Sequence, residues 1–253
     1  MLDISAIIIT KNEEEKIGDC LESIKWIDEV IVVDENSEDR TLEICKKYAN
    51  VRTYQYNNMK HGDGFQKNYA LSLATKEWVF CLDADERVSP ELKKEILDRV
   101  GKEEFDGYYF RMKYLAFGKW VLDYKPLNLR LFKRKKGKFS EKIVHTKVIL
   151  NGKIGIMNNP IIHISRTYRS VKDYLAIHNR YAFYEAEDLY NAGERIAFTD
   201  IPLIFIGKPI LGFLRKFVLW GYKYRFCGFL LSVLTGYNYF LIYVKLWKRQ
   251  RKK

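Results

Sequence analysis

The 253 residues include four cysteines, and no two of them form a C-x-x-C pair, so their spacing gives no sign of a metal or dithiol framework. Cys20, Cys45, Cys81 and Cys227 each fall among apolar residues of an expected element. A thiol there packs as a small hydrophobe, and a reducing compartment is the simpler expectation. No charged leader or cleavage site precedes the first apolar run, so no secretory signal is evident and work on the cytosolic side is expected. No internal repeat or low-complexity linker breaks the chain. Acidic residues are in short supply: 32 against 44 lysines and arginines, a net charge of +12 that points to an anionic partner. The hydrophobic share of 47% supports a packed core, and the charged share of 30% excludes an ordinary integral membrane bundle.

The first hundred residues alternate between strand and helix patterns. Ile4 to Thr10 and Glu29 to Asp34 are continuous β-branched runs, as in strands covered on both faces. Val51 to Tyr56 and Trp78 to Leu82 read as two more strands. Lys16 to Trp26, Asp39 to Ala49 and Gly64 to Ala74 have helical spacing, and Ser89-Pro90 opens a further helix with a cap and an N1 proline. This alternation implies parallel βαβ units, in which ligands sit at the carboxyl ends of the strands. From Gly107 to about Ile164 the pattern is strand-rich, and Arg166 to Glu194 reads as helical. Phe226 to Val244 carries no charged residue and is bracketed by Lys223, Arg225, Lys245 and Lys248. With Tyr237, Tyr239, Tyr243 and Trp247 suited to headgroup level, it is expected to lie in or dip into the inner leaflet. A single spanning helix and a soluble packing helix are the alternatives.

Four carboxylates follow two of the strand ends: Asp34 and Asp39 after the second strand, Asp83 and Asp85 after the strand Trp78 to Leu82. Parallel pairing brings them to one sheet edge. The pair in Asp83-Ala84-Asp85 suits Mg²⁺ or Mn²⁺, which leave positions open for phosphate oxygens, or else it is a solvated turn before a helix cap. Thr10, Lys11, Asn12 and Glu13 end the first strand with groups able to meet a base and ribose. In the stretch His61 to Asn68, Lys67 is either a phosphate partner or an exposed helix lysine.

The segments ITKNEE, VVDENSEDRT, GFQKNYAL and LDADE, in this order, resemble family 2 inverting glycosyltransferases of the GT-A fold, an α/β nucleotide-binding fold with a mostly parallel central sheet. LNLRLFKR, KIVH and PIIHIS resemble the subgroup that builds lipopolysaccharide cores and related envelope glycans. The resemblance implies a nucleotide-sugar half (1–105), an acceptor half (106–198) and a basic, apolar membrane-associating segment (199–253). It implies that Thr10, Asn12, Glu13, Asp34 and Asp39 frame a uridine pocket, with Asp34 at the base. Lys67, Asp83 and Arg130 would complete the donor site, Arg130 holding a phosphate or pairing with a carboxylate. Asp85 would bind the metal with Asp83, and His163 would stand beside it or be a core histidine. Inversion needs a base for the acceptor hydroxyl. Relatives often carry an acid after the Val-His pair, where this chain has Thr146. Glu141 and His145 are the nearest candidates and Glu86 a more distant one.

The implied partners are a UDP-sugar, glucose by family habit, a glycan or lipid-linked acceptor, and the inner face of the cytoplasmic membrane. A sugar nucleotidyltransferase would want a glycine-rich loop after the first strand, and Thr10-Lys11-Asn12-Glu13-Glu14 supplies none. A nucleic-acid binder is disfavoured because the strand-end acids would repel a polyanion. A membrane-docking scaffold without activity is the remaining alternative.

Overall fold

The computed structural model describes residues 3–57, 63–102, 104–122, 128–140 and 146–251. In chain order these form β1 (Ile4–Thr10), α1 (Ile17–Ser23), β2 (Glu29–Asp34), α2 (Thr41–Cys45), β3 (Val51–Gln55), α3 (Asp63–Leu73), β4 (Trp78–Asp83), β5 (Glu86–Arg87) and α4 (Pro90–Gly101). A strand-rich stretch follows: β6 (Gly107–Phe110), β7 (Met112–Ala116), β8 (Lys119–Leu122), β9 (Asn128–Lys133), β10 (Gly137–Phe139), β11 (Val148–Leu150), β12 (Ile154–Ile156) and β13 (Ile161–His163). Three long helices end the chain: α5 (Val171–Asn191), α6 (Lys208–Leu219) and α7 (Arg225–Arg251). The chain divides into two compact units, one of residues 1–114 with 125–164, the other of 115–124 with 165–253. The boundary expected at 105 therefore falls inside the first unit, and the one at 198 inside the second.

The first unit is built on a seven-stranded sheet of order β12-β6-β9-β4-β1-β2-β3. Strands β3, β2, β1 and β4 run parallel, whereas β9 is antiparallel to both β4 and β6. All of β2 and nearly all of β1 are buried, which is why both read as unbroken β-branched runs. Ile7, Ile31, Val33, Val79 and Cys81 form one cluster with Ala70 of α3 and Ala74 just after it. Their strand neighbours Ile8, Val32, Phe80 and Leu82 are also buried and, by the pleat, belong to the opposite face. Ser89 caps α4, its hydroxyl accepting from the Leu92 amide at 3.2 Å, and Pro90 follows at N1. A second small sheet pairs β13 antiparallel with β5 and parallel with β7.

Register positions the strand ends. Thr10 lies opposite Asp34, and Ile9 opposite Asp83. The carboxyl ends of β2, β1 and β4 therefore stand side by side.

In the second unit α7 packs against both α5 and α6. Small residues allow the close approach: a Cβ on Gly236 would stand 2.7 Å from the Pro209 carbonyl oxygen, and one on Gly212 would stand 2.5 Å from the Tyr239 ring. Ala182 and Ala186 give α5 a slim buried face, and Ala186 joins Ile196, Ile204 and Leu246 in a cluster. Arg249 of α7 pairs with Glu187 of α5 at 2.7 Å. Among the described residues only the stretch containing α7 is long and apolar enough to cross a membrane. A π-turn over Leu203–Gly207 leads into α6.

Candidate active site

The loops after β1 and β2 are stitched together by the side chains that the sequence marks there. Asp34 is wholly buried, and its carboxylate accepts from the Ser37 amide at 2.8 Å and from the Ser37 hydroxyl. That serine oxygen in turn accepts from the Asn12 amide at 2.8 Å, and the Asn12 side-chain oxygen accepts from the Glu38 amide at 2.8 Å. Asp39 accepts from the Glu14 amide and the Thr41 amide, both at 3.0 Å, while Thr41 Oγ1 accepts from the Glu13 amide at 2.8 Å. Burial opposes the charge of Asp39, but these hydrogen bonds outweigh it and hold the carboxyl below its ordinary range. Asn12 and Asn36 both take left-handed backbone conformations (φ 53° and 51°), which asparagine tolerates better than most residues. Thr10 Oγ1 is buried at this edge with no hydrogen-bond partner.

One strand away, four charged side chains from four elements interlock. Asp83 receives Lys67 Nζ of α3 on Oδ1 at 3.2 Å and Arg130 Nη2 of β9 on Oδ2 at 2.8 Å. The same Arg130 nitrogen donates to Glu86 Oε1 of β5 at 2.6 Å, and Glu86 Oε2 accepts from the Asp83 amide at 2.9 Å. Burial opposes ionisation of Asp83, but Arg130 and Lys67 outweigh it and hold the carboxyl well below the carboxylate range. Burial pushes the fully enclosed Glu86 up to about 7; Arg130 opposes the rise and Asp83 adds to it. Lys67 is therefore a buried partner of Asp83 rather than an exposed helix lysine. Arg130 pairs with carboxylates as well as facing open space.

That space is a cavity of about 440 Å³ in the first unit, lined by Lys67, Asp83, Tyr109, Arg130 and Thr146 among others. Glu141 and His145, the nearest candidates for the base, lie outside the described residues, as do residues 58–62. Glu86 is tied to Arg130 and to the backbone, which suits a structural role better than that of a base.

Asp85 sits at the turn between β4 and β5. Its carbonyl accepts from the Ile164 amide at 2.8 Å, and its carboxylate oxygen Oδ2 stands 3.3 Å from His163 Nε2 and 3.7 Å from Lys16 Nζ. Lys16 also pairs with Glu13 at 3.0 Å, so the loop after β1 and the Asp-x-Asp turn share a cation. Burial favours neutral His163, but Asp85 outweighs it and raises its pKa. Arg87 braces the turn, donating to the carbonyls of Lys16 at 2.7 Å and Ala84 at 3.0 Å.

The metal set expected from sequence is thus divided. Asp83 has both carboxylate oxygens committed to cations, and among the described residues no three histidine, cysteine or acidic side chains cluster as metal ligands. The pair that does fit is Asp85 with His163, one oxygen and one nitrogen donor on a braced turn. A substrate diphosphate and water would fill the positions that Mg²⁺ or Mn²⁺ usually leaves open. Lys16 and Ser37 are neighbours of the site that the sequence reading did not select, whereas Glu86, a distant candidate for the base there, belongs to the charged cluster. Lys16 lies five residues from Lys11 in ITKNEEEK, but only the fold shows that it reaches Asp85.

Residues 5–151 match the model of the glycosyl transferase family 2. The chain belongs to that family. An uncharacterised glycosyltransferase of Rickettsia typhi is 33% identical over 97% of this chain and 87% of its own length. The lipopolysaccharide core biosynthesis glycosyltransferase LpsC of Rhizobium meliloti is 28% identical over 100% of this chain and 94% of its own. Among solved structures, the mannosyltransferase PcManGT of Pyrobaculum calidifontis, in complex with GDP-Man and Mn²⁺, superposes with a TM-score of 0.59 at 15% identity, over 98% of this chain and 88% of that one. Staphylococcus aureus TarS 1–349 in complex with UDP-GlcNAc superposes with a TM-score of 0.51 at 17% identity, over 97% and 93%. These two structures establish the fold: this family 2 glycosyltransferase has the GT-A fold, with its acidic strand ends on the edge where the sequence puts them.

Proposed function

We propose that this glycosyltransferase moves one sugar from a UDP-sugar, glucose being the first donor to test, to a lipopolysaccharide core or other lipid-linked envelope glycan, with inversion, at the inner face of the cytoplasmic membrane. The observation that carries this reading is the single edge shared by Thr10, Asp34, Asp83 and Asp85. The buried Thr10 hydroxyl, which has no partner among the described residues, and the Asn12–Ser37–Asp34 chain support a polar edge suited to a base and ribose. The kinship with LpsC supports an envelope glycan as the acceptor.

Asp85 and His163 would hold Mg²⁺ or Mn²⁺. When bound, the ion offsets negative charge on the departing diphosphate. Lys67 and Arg130 face the cavity already oriented by Asp83 and Glu86, so they stabilise the leaving UDP without reorganising. The cavity beside them positions the acceptor hydroxyl against the anomeric carbon. Glu141 and His145, just ahead of Thr146 in the chain, are the proposed sources of the base.

The test is UDP release from a panel of UDP-sugars, with and without Mn²⁺, comparing wild type with Asp85→Ala. Metal-dependent hydrolysis of one donor, lost in the variant, is expected. If no donor is hydrolysed and UDP does not bind with metal, the reading fails.

A further inference from the structure

From Ile201 to the end the chain has eleven lysines and arginines and no aspartate or glutamate, so this stretch carries almost the whole net charge. Within it, both helices of the α6–α7 pair leave apolar side chains in the open. Helix α7, which holds the charge-free run, buries one face with Cys227, Leu231, Leu234, Ile242 and Leu246. Its outward residues Phe226, Phe229, Val233, Tyr237, Tyr239 and Phe240 are mostly aromatic and between 39% and 74% exposed. Helix α6 and the π-turn before it leave a row of apolar side chains in the open: Leu203, Ile206, Ile210, Leu211, Leu214 and Val218 are between 46% and 67% exposed. Ile206, Ile210, Leu214 and Val218 recur every fourth residue, so they form one ridge, with Leu203 and Leu211 beside it. The ridge is about 20 Å long at the helical rise. Arg215, Lys223 and Arg225 are exposed along and beyond its end.

An apolar ridge with a cationic margin fits the boundary of an anionic bilayer, where side chains enter the acyl region and cations meet headgroups. A second copy of the same face would bring like charges together. A crossing by α7 would carry α5 into the bilayer, since Arg249–Glu187 and the alanine face hold the two helices together, and α5 bears many charged residues.

We infer that the exposed face of α6 with the π-turn before it, rather than a crossing by α7, is what holds this protein on anionic phospholipid. The inference rests on the membrane part of the function proposed above and not on its chemistry.

The test is sedimentation of the full chain with vesicles of phosphatidylcholine, with and without phosphatidylglycerol. Wild type pellets with the anionic vesicles and is partly released by salt. The pair Ile210→Glu and Val218→Glu lowers binding about tenfold or more, with an unchanged Tm and unchanged UDP release from free donor. Ile156→Glu, an exposed site on β12, leaves vesicle binding unchanged. Arg215→Glu weakens binding to anionic vesicles only. Equal pelleting of the paired variant and wild type overturns the inference. So does a dimer that the paired variant dissociates without any vesicle binding by wild type, and so does retention of the protein in membranes after alkaline carbonate, which would mark α7 as a span. UDP release with water as acceptor reads the chemistry separately, so failure of one proposal is distinguishable from failure of the other.

Discussion

His163 Nε2 and Asp85 Oδ2 stand 3.3 Å apart although 78 positions separate them in the chain. The contact exists because His163 pairs across the small sheet with Glu86, the residue after Asp85, while the Ile164 amide binds the Asp85 carbonyl. Two strands thus fix the pair proposed to hold the metal from both backbone and side chain. Replacing His163 by alanine should leave Asp85 in place on its turn. The Mn²⁺ concentration for half-maximal UDP release should then rise by at least the ~10-fold that losing even an outer-shell partner costs. Metal titration of the variant measures this, and an unchanged midpoint would remove His163 from the site.

Arg130 ties Asp83 to Glu86 inside the protein. Arg130→Ala leaves two acids facing each other with one cation fewer, so folding stability should fall by about 3 to 5 kcal/mol, as for a buried pair broken on one side. Arg130→Lys restores the charge but not the planar guanidinium whose one nitrogen bridges both acids, and should recover only part of the loss. Chemical denaturation of the three proteins tests the order.

Glu29 joins β2 to two other segments. It accepts from the Ser5 hydroxyl, and from the Thr75 amide and hydroxyl at 2.9 Å each. Burial alone would raise its pKa, but these bonds and Arg52 outweigh it, so the folded carboxyl titrates below its ordinary value of 4.5. A depressed folded pKa means stability that is fully present above the unfolded pKa and is lost as pH falls through the folded one. Glu29→Gln should therefore cost about 1.5 to 3 kcal/mol near neutrality. The gap from wild type should narrow in acid below 4.5, as denaturation midpoints across pH would report.

Gly236→Ala sets helix propensity against packing. Alanine gains about 1 kcal/mol in a helix interior, but its Cβ would press on the Pro209 carbonyl at 2.7 Å. The clash is with backbone, so the net effect should be destabilising by roughly 1 to 3 kcal/mol. Thermal unfolding followed by far-ultraviolet circular dichroism gives the sign.

The sheet was readable because burial on both faces forces β1 and β2 into unbroken apolar runs, and the cap Ser89-Pro90 is a local signal. The strand-end acids were readable for the same reason: parallel topology alone decides which edge they share. The division of labour between them was not. Nothing local to Asp83 announces that Lys67 and Arg130, 16 and 47 positions away, occupy both its oxygens. Glu86 reads from the sequence only as a distant candidate for the base, because its burial depends on β9 and β13. The C-terminal run is legible by composition alone: Phe226 to Val244 is the more apolar, and only the fold shows that it shares the exposed apolar surface with α6.

Because Thr10 faces Asp34 while Ile9 faces Asp83, β1 acts as a spacer between the two halves of the site. Its length cannot drift. One residue inserted before Thr10 would turn its hydroxyl to the other side of the sheet and shift both neighbours out of step. The loops beyond the strand ends are held by a different constraint, side chains of one loop bonded to the backbone of the other, as Asp39 is to the Glu14 amide and Asn12 to the Glu38 amide. An insertion in either loop would therefore have to spare these anchors, while the strand itself tolerates only exchange of one side chain for another.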